Sequence, residues 1–228
     1  MIRFVDVSKI YPNGNKSLAN IDLNIDSGEF VFLVGHSGAG KSTLLKLLLK
    51  EEDVTSGNLN ILKQDIKSIN KRNVHKFRRN LGIVFQDFRL LNDKTVYENV
   101  EFAMRVVGQS PRYIKSRVPE VLELVGLKDK SNCYPNQLSG GEAQRVGIAR
   151  AIVNNPSILI ADECTGNLDY KTSREIMKIL LDINKKGTTV VMATHALNLI
   201  EEFRARVVML HKGRIVRDTK GWVYEHIV

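Results

Sequence analysis

The chain has two cysteines, five prolines and one tryptophan in 228 residues. Cys133 and Cys164 lie far apart without metal-ligand spacing, which excludes a disulfide framework and a zinc site. Thiols that few suit a reducing compartment. Hydrophobic runs are short, and none approaches the ~18 residues that a membrane span needs. The opening "MIRFVDV" enters strand-like alternation without a charged-then-apolar leader. Heptads, low-complexity segments and internal repeats are missing, so coiled-coil and solenoid architectures are excluded. What remains reads as a soluble cytoplasmic chain, 43% hydrophobic and 26% charged. Its length suits one large domain, or one domain with an inserted subdomain.

Acidic residues are the scarcer charge, 25 against 34 basic, which leaves a net +9. Part of the excess is concentrated: "KQDIKSINKRNVHKFRR" (63–79) holds seven Lys and Arg against one Asp. The plain reading is a solvated helix face. The sharper one is contact with an anionic surface, lipid headgroups or nucleic acid. Aromatic interleaving of the kind that binds single-stranded nucleic acid is absent, which favours a membrane surface and makes nucleic acid the weaker partner.

Glycine, by contrast, is concentrated. "GHSGAGKST" (35–43) follows the apolar run "FVFLV" and precedes the helical "TLLKLLLK". Gly35, Gly40, Lys41 and Ser42 fit G-x-x-x-x-G-K-[ST] between a strand and a helix, the context of a phosphate-binding loop. Glycines allow consecutive N–H groups to turn inward on an anion, and the following helix directs its free N–H groups to the same place. The expected nucleotide site is therefore Gly35, His36, Ser37, Gly38, Ala39, Gly40, Lys41, Ser42 and Thr43. Lys41 would reach the β- and γ-phosphates, and the Ser42 hydroxyl would take a Mg²⁺ position.

Strands are expected at "IRFVDVSKIY", "NIDLNI", "EFVFLVG", "LGIVFQ", "SILIAD" and "TTVVMAT", with a hairpin at "ARVVMLHKGRIV". The central four are short and apolar throughout, as buried parallel strands are. Thr95 with Glu98, Ser139 with Glu142 and Thr172 with Glu175 have capping-box spacing, and Gly126 and Gly187 mark helix stops. Pro119 falls inside a helical pattern and should break or kink it. Residues 88–156 read as helices with no strand, so an α/β core is interrupted by a helical insert. "SILIADE" places Asp162 and Glu163 at the end of a buried strand, where ligands of α/β sheets sit. Asp162 would hold Mg²⁺, and Glu163 would polarise a water in line with the γ-phosphate.

"QLSGGEAQR" (137–145) starts a helix with two glycines in its first turn. The segment resembles the signature motif of ATP-binding-cassette (ABC) ATPases. Further family marks follow in order: Tyr11 in "KIYPNG", Gln86 in "VFQ", Asp169 in "GNLD" and His195 in "ATHA". The resemblance spans about residues 3–216. It implies a P-loop NTPase fold with a RecA-like parallel-sheet core, an N-terminal antiparallel β subdomain and an inserted α-helical subdomain. The whole of 1–228 would form one ABC ATPase domain, with 1–87 and 157–228 as the core and 88–156 as the helical part.

The resemblance also implies roles: Tyr11 stacking on adenine, Gln86 touching Mg²⁺, His195 contacting the γ-phosphate and Asp169 at a dimer seam. Ser139, Gly140 and Gly141 would bind the γ-phosphate held by a second copy, so two chains would sandwich two ATP. Softer patterns, "FQDFRLLNDKTVYENVEFAMRVVG" and "MATHALNLIEEFRARVVMLHKGRIVRD", are similar to the cell-division ATPases of the family. Those act with an FtsX-like integral membrane protein at the inner face of the plasma membrane and regulate cell-wall hydrolases. Alternatives are the motor of a lipoprotein-release or macrolide-type exporter, and a scaffold gated by ATP binding and not by turnover. Nucleic-acid members of the family carry a long coiled coil or two cassettes, and this chain has neither. Two positions depart from the pattern: Cys164 where the family usually has proline, and Ala143 where it often has glutamine. Proline would fix the loop beyond Glu163, so that loop is expected to be looser; Cys164 is read as a small packing residue, with a reactive thiol as the minority reading.

Overall fold

Side-chain alternation decides the architecture. In a strand, successive residues face opposite sides, and in Phe30–Val34 both sides are apolar. Phe30, Phe32 and Val34 enter one core cluster, while Val31 and Leu33 enter a second. Ile158–Asp162 and Thr189–Ala193 divide in the same way: Leu159, Ala161, Val190 and Met192 go to the first core, and Ile158, Ile160, Val191 and Ala193 to the second. A sheet buried on both faces follows, and parallel pairing is its usual form.

The computed structural model describes residues 1–220; Trp222 and the rest of the tail lie outside them. In chain order the elements are β1 (Ile2–Ile10), β2 (Lys16–Ile25), β3 (Phe30–Val34), α1 (Lys41–Leu48), β4 (Ser56–Ile61) and β5 (Gln64–Asp65). Then come α2 (Val74–Arg78), β6 (Leu81–Val84), α3 (Val96–Val106), α4 (Pro111–Leu124) and α5 (Gly140–Ile152). The last are β7 (Ile158–Asp162), α6 (Tyr170–Lys185), β8 (Thr189–Ala193), α7 (Leu197–Phe203), β9 (Arg206–His211) and β10 (Arg214–Lys220). A six-stranded sheet runs β10-β9-β3-β8-β7-β6, parallel except for the β9–β10 hairpin. A four-stranded antiparallel sheet runs β2-β1-β4-β5. Leu44, Leu45, Leu47 and Leu48 of α1 share the second core with Ile2, Phe4, Leu18 and Ile21 of the antiparallel sheet and the near face of the parallel one. Helices α3–α7 share the first core on the opposite face.

Four local expectations change. The basic run is not one helix face: it passes from β5 through a 3-10 turn, Ile66–Ser68, into the five-residue α2. Ile66, Ile69 and Phe77 pin it to the core and leave its lysines exposed. Helix α6 begins one turn before Thr172, with Asp169 as its cap accepting from Thr172 N at 3.0 Å. Helix α4 continues unbroken through Pro119. Pro119 faces solvent, so water can satisfy the carbonyl that loses its helical partner. Strand β4 was not anticipated: only Leu59 and Ile61 of "SGNLNI" are buried, and pairing with β1 supplies the rest of its order.

Candidate nucleotide site

Loops 35–40, 85–89, 163–169 and 194–196 follow the C-terminal ends of β3, β6, β7 and β8, the ligand-binding edge of an open α/β sheet. The first wraps the start of α1. Gly40 caps that helix with φ +109 and without a side-chain bond, and a Cβ there would stand 2.8 Å from the Ser17 carbonyl oxygen. Only glycine fits, and the first N–H groups of α1 keep no side-chain partner at the cap, as an anion site requires. A cavity of 220 Å³ lies here, lined by residues 37–43, Asn15, Ser17, Glu163 and His195.

Lys41 is buried, and its ammonium donates to Gly35 O at 2.7 Å. The same Nζ lies 2.9 Å from His195 Nε2, which in turn lies 2.9 Å from Glu163 Oε1. One ring nitrogen cannot accept from the lysine and donate to the carboxylate together. The three groups therefore close on one another in two alternative ways, and an anion entering between them would engage both Lys41 and His195. Burial lowers the Lys41 pKa below the ordinary lysine value, opposed by the carboxylates of Glu163 and Asp162. Asp162 is raised above the ordinary carboxylate value, first by burial and next by Glu163, with Lys41 opposing. Two carboxylates, Asp162 and Glu163, thus stand beside the phosphate loop, with Lys41, Arg89 and Lys46 as the opposing charges. Glu163 has φ +47, and its N–H donates to Ala193 O at 3.0 Å. A non-glycine residue in this left-handed region is uncommon, and such strain collects at functional sites.

Other anticipated residues do not line this cavity. The Tyr11 hydroxyl lies 3.3 Å from Thr43 Oγ1, and Lys9 Nζ sits 5.0 Å above the Tyr11 ring. His36 is exposed, with its carbonyl 3.4 Å from Lys41 Nζ. Gln86 donates through Nε2 to Asn167 Oδ1 at 3.4 Å, so it leans on the loop after β7. Ser139 caps α5 reciprocally with Glu142: Ser139 N donates to Glu142 Oε2 at 2.8 Å, and Glu142 N donates to Ser139 Oγ at 3.3 Å. Ser139 and Gly140 are exposed and are not part of the lining of their own chain's cavity. Gly141 is buried against α6, where a Cβ would overlap Thr172 Cγ2. Asp169 is exposed and accepts from Thr172 N at 3.0 Å and Thr172 Oγ1 at 2.6 Å, which hold its pKa below the usual carboxylate range.

Sequence reasoning missed Asn15 of the β1–β2 connection and Ser17 at the start of β2, which reach the cavity; Ser17 Oγ is 2.7 Å from Thr43 Oγ1. No local signal points to them, because strand pairing alone brings them there. It also missed Gln144 and Arg150 of α5, which bond to the carbonyls of Phe85, Phe88 and Arg89 around Gln86. Cys164 is buried, and burial pushes its thiol up to about 12, as befits a packing residue.

The ABC transporter family matches residues 18–166. The cell division ATP-binding protein FtsE of Bacillus subtilis is 53% identical over 224 residues, 98% of each chain. FtsE of Mycobacterium tuberculosis is 52% identical over 225 residues, again 98% of each. Among solved structures, the dimeric, post-hydrolysis ATP-binding cassette MJ0796 with ADP and Pi has a TM-score of 0.86 at 37% identity, covering 98% of this chain and all of that one. The cbiO1 subunit from Clostridium perfringens has a TM-score of 0.91 at 30% identity, covering 96% of this chain and 88% of the other. The phosphate loop, the Asp–Glu strand end and the histidine after β8 thus occur in a chain similar along its whole length to cell-division cassettes, and it belongs to the ABC transporter family of ATPases, in the FtsE group.

Proposed function

We propose that the chain hydrolyses ATP at the seam of a homodimer and that this cycle drives an FtsX-like membrane partner that regulates cell-wall hydrolysis in division. The observation that carries this reading is the identity of about half with FtsE proteins over nearly the full length. The cavity at the phosphate loop fits it chemically. Backbone N–H groups and Lys41 bind the β- and γ-phosphates. The base would stack on Tyr11, on the ring face away from Lys9. Glu163 takes a proton from the attacking water, and His195 leaves Glu163 to hold the γ-phosphate. Ser42, Asp162 and Gln86 supply the oxygens for Mg²⁺, which when bound neutralises charge on the phosphates.

Ser139 and Gly140 are exposed and do not line their own cavity, which supports a role on the nucleotide of a second copy, with Asp169 at the seam. The γ-phosphate is then a ligand shared by two chains, present before hydrolysis and lost after it, and it biases the closed against the open dimer. Among the described residues no helix is long and apolar enough to cross a membrane, so the membrane contact in this reading is peripheral. We assign the exposed lysines of 63–79 to its vicinity.

The test is capture of partners from detergent-solubilised native membranes with the Glu163→Gln protein, ATP and Mg²⁺. A small FtsX-like membrane protein should co-purify in an ATP-dependent way. A larger permease with an export adaptor would replace this reading by the export motor.

A further inference from the structure

One face of α5 is occupied by polar groups that touch no nucleotide-site residue directly. Gln144, Gly147 and Arg150 recur at every third position and so lie along one stripe of the helix. Gln144 is fully buried, and its Nε2 donates to Phe85 O at 3.3 Å. Arg150 donates through Nη2 to Phe88 O at 2.7 Å and through Nη1 to Arg89 O at 2.6 Å. A Cβ on Gly147 would stand 3.9 Å from the same Phe88 oxygen, so the loop lies directly over this face. Three carbonyls of the five-residue segment 85–89 are thus held by one helix, and Gln86 sits among them.

Within the loop, the Arg89 guanidinium lies 3.9 Å from the Phe85 ring centre and pairs with Asp87 at 3.2 Å, but these contacts leave its backbone strain in place. Phe88 and Arg89 are consecutive non-glycine residues at φ +54 and +48, a left-handed pair that persists only where the surroundings enforce it. Arg150 bears a cost as well. Arg150 is half-buried, and burial lowers its pKa. A guanidinium partly withdrawn from water ordinarily meets an anion; this one meets two peptide oxygens. Two unfavourable features, the strained turn and the partly desolvated cation, sit against each other at the junction of the two elements.

We propose that Gln144 and Arg150 are positioning residues that clamp the Gln86 loop onto α5, so that Gln86 and the Ser139 end of the same helix move as one body. The proposal rests on the roles given above to Gln86 and Ser139. Its consequence is specific. A change at Gln86, on its own chain's nucleotide, is transmitted along α5 to Ser139, on the other chain's nucleotide. Loss of the clamp separates nucleotide binding, which depends on the phosphate loop, from closure of the dimer, which depends on Ser139.

The experiment compares Glu163→Gln with Glu163→Gln/Arg150→Met. A fluorescent ATP analogue reads binding to the monomer, and light scattering reads ATP-driven dimerisation. Analogue affinity should stay within about twofold, while the ATP concentration at half-dimerisation rises at least tenfold. Arg150→Lys, which can still reach one carbonyl, should recover most of the loss. Unchanged dimerisation in Arg150→Met, or equal losses in binding and dimerisation, would overturn the clamp. Should Arg150→Met fail to fold, amide exchange of 85–89 and 139–142 is followed against ATP concentration in the unmodified chain and in Gln144→Leu, which removes the bond to Phe85 O at little change in volume. Both segments should be protected in step in the former and at different concentrations in the latter; matching curves in both proteins would refute the proposal. Failure of Glu163→Gln itself to dimerise would count against the proposed dimer cycle, and the exchange curves would still decide the clamp.

Discussion

Gly141→Ala is the smallest change that tests how α5 and α6 meet. A methyl group at 141 would come within 3.0 Å of Thr172 Cγ2, so something must move. Thr172 cannot rotate freely, because its hydroxyl donates to Asp169 Oδ2 at 2.6 Å and its N–H is the capped donor of α6. Either the cap bond is lost, at about 1 kcal/mol, or the helices separate, with overpacking costing about 1–3 kcal/mol. Against this, alanine gains at most about 1 kcal/mol of helix propensity, and less in a first turn. The net expectation is a destabilisation of about 1–2 kcal/mol, which for a chain of this size lowers Tm by roughly 2–8 °C. Thr172→Ser removes the obstructing methyl while keeping the hydroxyl on Asp169. Calorimetry on the four proteins of the double-mutant cycle should therefore show Thr172→Ser restoring most of the Tm lost in Gly141→Ala. A neutral or stabilising Gly141→Ala, or a loss unchanged by Thr172→Ser, would refute the packing argument.

Two other expectations concern charge and thiols. Glu98 and Glu142 are held below the usual carboxylate value by their capping-box bonds to the N–H groups of Thr95 and Ser139. A depressed folded-state pKa contributes stability that is fully present above the unfolded value of ~4.3 and is lost as pH falls through the lower folded value. Melting temperature should therefore drop on acidification below about pH 4, and more steeply than in Glu98→Gln/Glu142→Gln; equal slopes would contradict the assignment. Cys164, with its thiol pushed up to about 12, should resist maleimide at pH 7.5 in the folded chain while half-buried Cys133 reacts first. Mass spectrometry showing Cys164 labelled first would overturn the packing role.

The parts legible in the sequence are those whose cause is local. The phosphate loop is written in consecutive residues, because a nest of N–H groups must be made by one turn. The unbroken apolar runs of β3, β7 and β8 declare burial on both faces. The Ser139–Glu142 and Thr95–Glu98 caps are local too, and both occur. Asp169 was harder to place as a cap: it and Thr172 both suit an N-cap three residues apart, and only the bond to Thr172 N decides between them. Pro119 misleads because its effect depends on which way the helix faces. Asn15, Ser17, Gln144 and Arg150 could not be found at all, since pairing between distant segments gives them their partners. The closed Lys41–His195–Glu163 set likewise joins three loops that only the sheet brings together.

The central claim, that Glu163 drives hydrolysis at the seam of two copies, is tested most directly by one comparison of wild type and Glu163→Gln in ATP and Mg²⁺. Phosphate release and solution mass are read on the same samples. The account predicts turnover in the wild type, a fall of at least about 100-fold in Glu163→Gln, and a stable dimer of the variant that disperses when ATP is withdrawn. Turnover equal to wild type in Glu163→Gln, or a variant that stays monomeric at saturating ATP, would contradict it.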